Sequence, residues 1–350
     1  MVDVLRDGYV IPFVSLPPLA NTPISFESYS TNSLKWQKLD QEIQDMIGKE
    51  ALEEATSDPG FYSRMFIIER PDKKKWRPVI DLSPLNKFIQ QTPFQMETNV
   101  SVLRAIRQDD WMISIDLKDA YFQIPIHPQS RKYLRFVWGS KTFQFKVICF
   151  GLSTAPQIFT RIMAPVSYIL HTRGVRMLRY LDDWLLLSAT RKQSIAARDE
   201  ALNLCQHLGL LINLEKLNVL PSQTTSYLGM EINSAILRAF PTEKRKEALR
   251  NVISQFLKAS QAPAILWLQL LGHMSSLCLL VPGGRRRMRN LQFQLYKHWD
   301  RTLMDDSHQI PISQDIRVDL HWWTQDQHLM KGCSLAQRSP DLLLFSDASI

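Results

Sequence analysis

The chain has 350 residues, 45% hydrophobic and 22% charged, a balance that excludes wholesale disorder, a collagen-like chain or a disulfide scaffold and allows two or three compact units. Lys and Arg number 42 against 34 Asp and Glu, an excess that favours a polyanionic partner, nucleic acid first. Cys149, Cys205, Cys278 and Cys333 are too scattered for a zinc site or redox dithiol and read as free thiols; with no basic leader and no membrane-length apolar run, the expectation is a soluble intracellular protein, cytoplasmic with nuclear access allowed, not secreted and without a membrane partner.

Residues 8–35 carry Pro12, Pro17, Pro18 and Pro23 among Ser, Thr and Asn, which gives turns and extended backbone without a helical period. Leu34, Leu39, Ile43, Met46, Ile47 and Leu52 recur at three- and four-residue steps and predict a helix over 33–56, stopped by Asp58-Pro59-Gly60. Strands are expected at 61–68 and 77–82, joined by a cation-rich tip from Arg70 to Arg77 whose plainer reading is a solvated turn. WMISID at 111–116 reads as a strand, and LRFVW (134–138) and KTFQFKV (141–147) flank the hairpin loop Gly139-Ser140. Ser153 or Thr154 can cap a helix that runs to Gly174 and kinks at Pro165.

The apolar runs RMLRY and WLLLS enclose Leu181-Asp182-Asp183. A helix at 191–208, strands around 217–220 and 226–232, and helices at about 243–260, 264–281, 287–304 and 313–331 complete the pattern, so 240–340 reads as a separate, mainly helical unit. The closing LLLFSDASI begins like a buried strand ending in a carboxylate.

Two adjacent carboxylates between apolar strands are costly without a cation beside them. Asp182 and Asp183 can serve one site only if the backbone turns there, because neighbours on a strand face opposite ways. Asp116, ending WMISID, supplies a third hard oxygen ligand of the kind suited to Mg²⁺, and three such aspartates could hold two metals for in-line phosphoryl chemistry. The eight histidines form no zinc-spaced pair.

YLDDWLLLS (180–188) resembles the YxDD box of reverse transcriptases, and IDLKDAYFQIPI (115–126) resembles their first aspartate box. WRPVIDLSPLNKF (76–88) is similar to the fingers motif, FGLSTAP (150–156) to the box that opens the helix under the templating pair, and LEKLNVL (214–220) and YLGMEI (227–232) to the late palm box and primer grip. Six boxes in order are far more specific than one. GYVIPF, LLGHMSSLCLLVPGGRRRMRNLQ (270–292), DLHWW (319–323) and LLFSDAS (343–349) look like the polymerase of DIRS-type retrotransposons, with gypsy-type elements next.

The resemblance implies an α+β right-hand polymerase: an N-terminal arm and helix over 1–59, fingers and palm over 60–235, a thumb- or connection-like helical region over 240–340, and the first strand of a truncated RNase H domain over 341–350. It implies RNA-directed addition of deoxynucleotides to a primer 3′-hydroxyl, with RNA or DNA template, primer and deoxynucleoside triphosphates as partners and a second subunit or polyprotein partner left open. Its cofactor would be two Mg²⁺ ions, with Mn²⁺ as a substitute. Asp116, Asp182 and Asp183 become the catalytic metal ligands, with the Leu117 carbonyl completing a shell. Asp119 and Ala120 match the turn that meets the triphosphate, Tyr121 the steric gate against a 2′-hydroxyl, Arg77 the fingers arginine and Phe150 a ring against the incoming sugar.

Arg70 stands where the family usually places a lysine, and Lys216 matches the lysine that could protonate pyrophosphate, although a solvated helix-end lysine reads almost as well. Gly229 and Met230 match the primer grip, and Asp347 the first RNase H carboxylate. The basic run Arg285, Arg286, Arg287 and Arg289 suits contact with a duplex backbone or a solvated patch. The rival readings are a silent remnant that only binds nucleic acid, and a nuclease, for which one RNase H carboxylate is too few.

Overall fold

The computed structural model describes residues 2–26, 29–70, 75–214 and 220–336. They divide into two compact units, the first comprising residues 1–96, 115–184 and 200–217, and the second 97–114, 185–199 and 218–350.

In chain order, helix α1 (Val2–Asp7) precedes the proline-rich arm, whose Tyr9, Phe13 and Ala20 form single bridges to Ile126, Ile89 and Gly60. Helix α2 (Leu34–Gly48) starts at Ser33, whose hydroxyl accepts from the Trp36 amide at 3.2 Å, and buries Leu39, Ile43 and Met46. It stops well short of the Thr56 end that its periodicity suggested. Glu50 takes a left-handed φ of 56°, and the apolar Leu52 then lies on strand β1 (Leu52–Glu54).

Strands β2 (Arg64–Arg70) and β3 (Lys75–Asp81) form an antiparallel pair with Ile68 opposite Arg77. Helix α3 (Ser83–Asn86) follows, with Pro84 in its first turn, where its missing N–H costs nothing. Helix α4 (Asn99–Ala105) carries a reciprocal cap between Thr98 and Ser101. Strand β4 (Trp111–Asp116) matches its expected bounds. A short helix α5 (Pro128–Arg131) leads into β5 (Arg135–Trp138) and β6 (Lys141–Phe145), which pair across Gly139 at φ 59°.

Helix α6 (Ala155–Thr172) continues through Pro165. Thr154 stands at its N-cap without a side-chain cap bond, so Pro156 and tertiary packing, rather than a hydroxyl cap, set its start. Gly174 at φ 81° ends it as expected. Strands β7 (Arg176–Tyr180) and β8 (Asp183–Ser188) are joined by Leu181 and Asp182, and helix α7 (Arg191–His207) gives way at Gly209.

The expected strand at 226–232 is instead a hairpin, β9 (Thr224–Tyr227) and β10 (Met230–Asn233), because Leu228 and Gly229 both take left-handed φ angles, 47° and 75°. Strand β11 (Arg238–Pro241) extends it. Then come α8 (Glu243–Lys258), β12 (Gln261–Pro263), α9 (Ala264–Leu277), α10 (Gly284–His298), β13 (Gln309–Pro311), α11 (Gln314–Thr324), α12 (Asp326–Leu329) and β14 (Cys333–Ser334). The helices expected at 287–304 and 313–331 are both shorter. The first ends at His298, and extended backbone at Gln325 (ψ 125°) breaks the second.

The sheets have strand orders β1-β6-β5, β2-β3, β4-β8-β7, β14-β11-β10-β9 and β12-β13; together with separate helices this is an α+β fold, as expected. In the first unit Phe136 packs against Phe143 and Phe145 with centroids 5.8 and 5.9 Å away. Arg135, 1% exposed, is satisfied there by Gln144 at 2.9 Å and Asp58 at 2.7 Å. In the second unit one core joins Phe256, Trp267, Met274, Leu291, Leu320 and Trp323. Asp319, buried at its edge, is held by Arg287 at 3.1 Å and Asn290 at 2.7 Å. Among the described residues no helix is long and apolar enough to cross a membrane.

All four cysteines are free. Burial pushes the Cys149 and Cys205 thiols up to about 12, while Cys278 and Cys333 are only partly covered. With a thiol-specific reagent at pH 8, Cys278 and Cys333 should label first, and Cys149 and Cys205 only after denaturation, as read by peptide mass spectrometry.

Candidate active site

Asp116 is the last residue of β4, Asp183 the first of β8, and Asp182 lies in the turn before it. The turn closes because Leu181 adopts φ 54° and its carbonyl accepts from the Trp184 indole N–H at 3.2 Å. The Leu117 amide donates to the Asp182 carbonyl at 3.0 Å, which ties the two aspartate-bearing segments together through the backbone. All three aspartates are half-buried, while Leu117 and Trp184 beneath them are buried.

A neighbour absent from the sequence reading completes this end of the sheet. The Asn213 side-chain N–H donates to the Asp116 carboxylate at 2.9 Å and its amide to the Asp116 carbonyl at 2.9 Å. Ile212 forms a bridge with Leu117, and Lys118 donates to Leu211 at 2.8 Å. Only the distant pairing of 211–213 with 116–118 reveals Asn213; its immediate sequence gives no signal.

Beyond β4, Asp119 takes a left-handed conformation, φ 49° and ψ 40°. A 3-10 turn over Ala120–Gln123 follows, closed by the Phe122 amide on the Asp119 carbonyl at 2.8 Å. Tyr121, 9% exposed, meets Phe150 and Phe159 edge-on at 5.0 and 5.7 Å. Its hydroxyl is pushed up to about 12, first by burial and then by the negative charge of Asp182, so the ring stays neutral beside the aspartates. The Arg77 guanidinium lies 4.6 Å from the centroid of Phe150, a cation–π contact on a ring that is 41% exposed.

The loop bearing Phe150 is pinned by Asn86, which donates to the Gly151 carbonyl at 2.8 Å and accepts from the Ser153 amide at 3.0 Å. Gly151 is required by its φ of 101° and by the Ile80 carbonyl, which would lie 3.0 Å from an added Cβ. A cavity of about 140 Å³ opens between Arg77, Phe150, Asp119, Phe122 and the end of α2 at Lys49.

Thus the structure brings Asp116, Leu117, Asp182, Asp183, Asp119, Ala120, Tyr121, Phe150 and Arg77 into one unit. The side chain of Arg70, all of Lys216 and Asp347 lie outside the described residues. Gly229 and Met230 belong to the second unit. There Met230 is fully buried, and Gly229 carries the turn on which Arg245 donates to its carbonyl at 3.2 Å. Of the basic run on α10, Arg285, Arg286 and Arg289 are exposed, whereas Arg287 is paired with Asp319.

Among the described residues no three His, Cys, Asp or Glu converge as a ready-made metal cage. The donor types present, the carboxylates of Asp116 and Asp182 on segments joined by the Leu117–Asp182 backbone bond, nonetheless suit Mg²⁺, which is usually bound through one or two carboxylates with waters and substrate phosphates completing its octahedron.

Residues 68–232 match the family model described as reverse transcriptase (RNA-dependent DNA polymerase). The genome polyprotein of petunia vein clearing virus is 29% identical over 179 residues, covering 50% of this chain and 8% of that polyprotein. The enzymatic polyprotein of cestrum yellow leaf curling virus is 28% identical over 202 residues, covering 55% of this chain and 30% of that protein. The chain therefore spans less than a third of either relative. A foamy viral protease-reverse transcriptase, solved in complex with ds DNA, superposes with a TM-score of 0.73 at 19% identity, covering 94% of this chain and 55% of that one, and shows the fold to be the right-hand polymerase fold.

Gly229→Ala should destabilise the second unit by about 1–2 kcal/mol, the cost of a left-handed residue with a Cβ. The added carbon would also stand 3.0 Å from the Arg245 guanidinium; denaturant unfolding of the variant checks both.

Proposed function

The chain carries a reverse transcriptase domain of the kind found in retroelement, retroviral and pararetroviral polyproteins, and on that premise we propose that it is an RNA-directed DNA polymerase. It would extend a primer 3′-hydroxyl with deoxynucleotides on an RNA or DNA template. The observation that carries this reading is the backbone bond that joins the Asp116 and Asp182 segments beside Tyr121, Arg77 and Phe150.

Asp116 and Asp182 would hold two Mg²⁺, or Mn²⁺, with Asp183 and the Leu117 carbonyl in support. Bound Mg²⁺ supplies the charge that makes the primer hydroxyl nucleophilic and offsets the charge growing on the triphosphate. Arg77, planar and permanently charged, stacks beside the incoming base and grips its phosphates. The backbone N–H groups of the Asp119–Ala120 turn face the same anion. Tyr121, neutral and buried, fills the volume that a ribose 2′-hydroxyl would need. Asn213 orients the Asp116 carboxylate through its side-chain bond.

Arg70, Lys216 and the Gly229–Met230 primer grip keep their assigned roles within this proposal, supported by their positions in the motifs. We place the element nearest the DIRS type, then the gypsy type, on its flanking motifs, with the polymerase as one part of a longer polyprotein that continues into RNase H at Asp347. The expected locale is the cytoplasm with nuclear access, and the excess of eight cations suits the nucleic-acid partner. A second subunit is compatible with this arrangement.

Deoxynucleotide incorporation on a primed homopolymeric RNA with Mg²⁺ tests the reading. The native chain should extend the primer, and Asp182→Asn should not, while unfolding at the native midpoint. A folded native chain that binds template and primer yet extends nothing would point to a silent remnant. In the same assay, Tyr121→Val should lower discrimination against ribonucleotides by about tenfold or more.

A further inference from the structure

Lys49 belongs to none of the motifs, and its place is set by the early end of α2. It is the C-cap residue of that helix, where a cation is favoured by the helix dipole. The chain then reverses at Glu50 (φ 56°), and Lys146 donates to the Ala51 carbonyl at 2.9 Å, which anchors the helix end to the β1-β6-β5 sheet. From this fixed point the Lys49 ammonium reaches Asp45, one turn back, at 2.7 Å and Asp119 at 3.1 Å.

Asp119 is one of the non-glycine residues held in the left-handed region, at φ 49°. Asp tolerates this conformation better than most residues when its side chain is bonded, and here it sets the direction of the Ala120–Gln123 turn. Lys49 and Asp119 border the same cavity as Arg77 and Phe150. An arginine or lysine that merely capped a helix would have no reason to face that space.

We propose that Lys49 is a positioning residue for the incoming nucleotide: braced by Asp45, it holds Asp119 and so aims the Ala120 amide and the Tyr121 ring at the triphosphate and sugar. The inference rests on the polymerase reading above. Lys49 acts through Asp119 and touches no reacting atom.

Steady-state extension by a single deoxynucleotide, with saturating template and primer, tests it. Lys49→Met should raise the nucleotide KM by about fivefold, the upper range for a partly exposed ion pair, and leave kcat within about twofold. Lys49→Arg should restore the KM. Asp119→Asn should give the same rise, and the double variant no further rise, since both remove one interaction. Lys141→Met, which loses a comparable exposed pair with Glu54, should leave KM unchanged. If Lys49→Met does not fold, Asp119→Asn decides alone, because it keeps the Lys49–Asp45 pair. A native chain that extends primers while both variants keep the native KM overturns the clamp alone; a native chain that extends none overturns the polymerase reading with it.

Discussion

The Leu117 amide and the Asp182 carbonyl meet across 3.0 Å, and the chemistry proposed for the first unit depends on that bond. Two carboxylates brought near each other repel, so a scaffold must hold them in place. Here the backbone does so, because Asp116 precedes the donor and Asp182 contains the acceptor. The turn that presents Asp182 is itself held by the Trp184 indole on the Leu181 carbonyl, so a buried aromatic under the hairpin sets the angle of the acid above it. Preorganisation of this kind lets charge be stabilised without rearrangement.

Around that bond the site is graded in polarity. Tyr121, Phe150 and Phe159 make an aromatic floor, and the cations Arg77 and Lys49 stand at the rim with exposed paths to solvent. Leaving these charges at the rim avoids the desolvation cost that buried, isolated ions would incur. Arg135, fully buried in the first unit, is surrounded by acceptors from Asp58, Thr56 and Gln144, a structural duty kept apart from the site. In the second unit Asp319 is treated likewise, shared between Arg287 and Asn290.

Local sequence was a good guide wherever local physics decides. The strand ending at Asp116, the turn at Leu181-Asp182 and the helix stop at Gly174 follow from alternation, flanking apolar runs and a glycine's tolerance of positive φ. It failed where tertiary pairing overrides periodicity. The step from Ile47 to Leu52 keeps the helical rhythm, yet Glu50 reverses the chain and Leu52 packs from a strand. YLGMEI reads as one apolar strand, and only the two left-handed residues at its centre make it a hairpin. Asn213, Asn86 and Lys49 were illegible for the same reason: each acts on a residue far away in the chain, through a bond that no spacing rule encodes.

The pairing of 211–213 with 116–118 has a consequence for the order in which the molecule is made. Asp116 and Asp182 can meet once the chain between them has folded, but the strand that flanks Asp116 on its other side is supplied by residues near 213. During synthesis those residues leave the ribosome after every motif aspartate of this site. A nascent chain therefore holds the acids without the asparagine bonded to the first of them, and the cluster becomes whole only when residues 211–213 pair with 116–118. The topology thus delays a competent centre until the surrounding scaffold already exists.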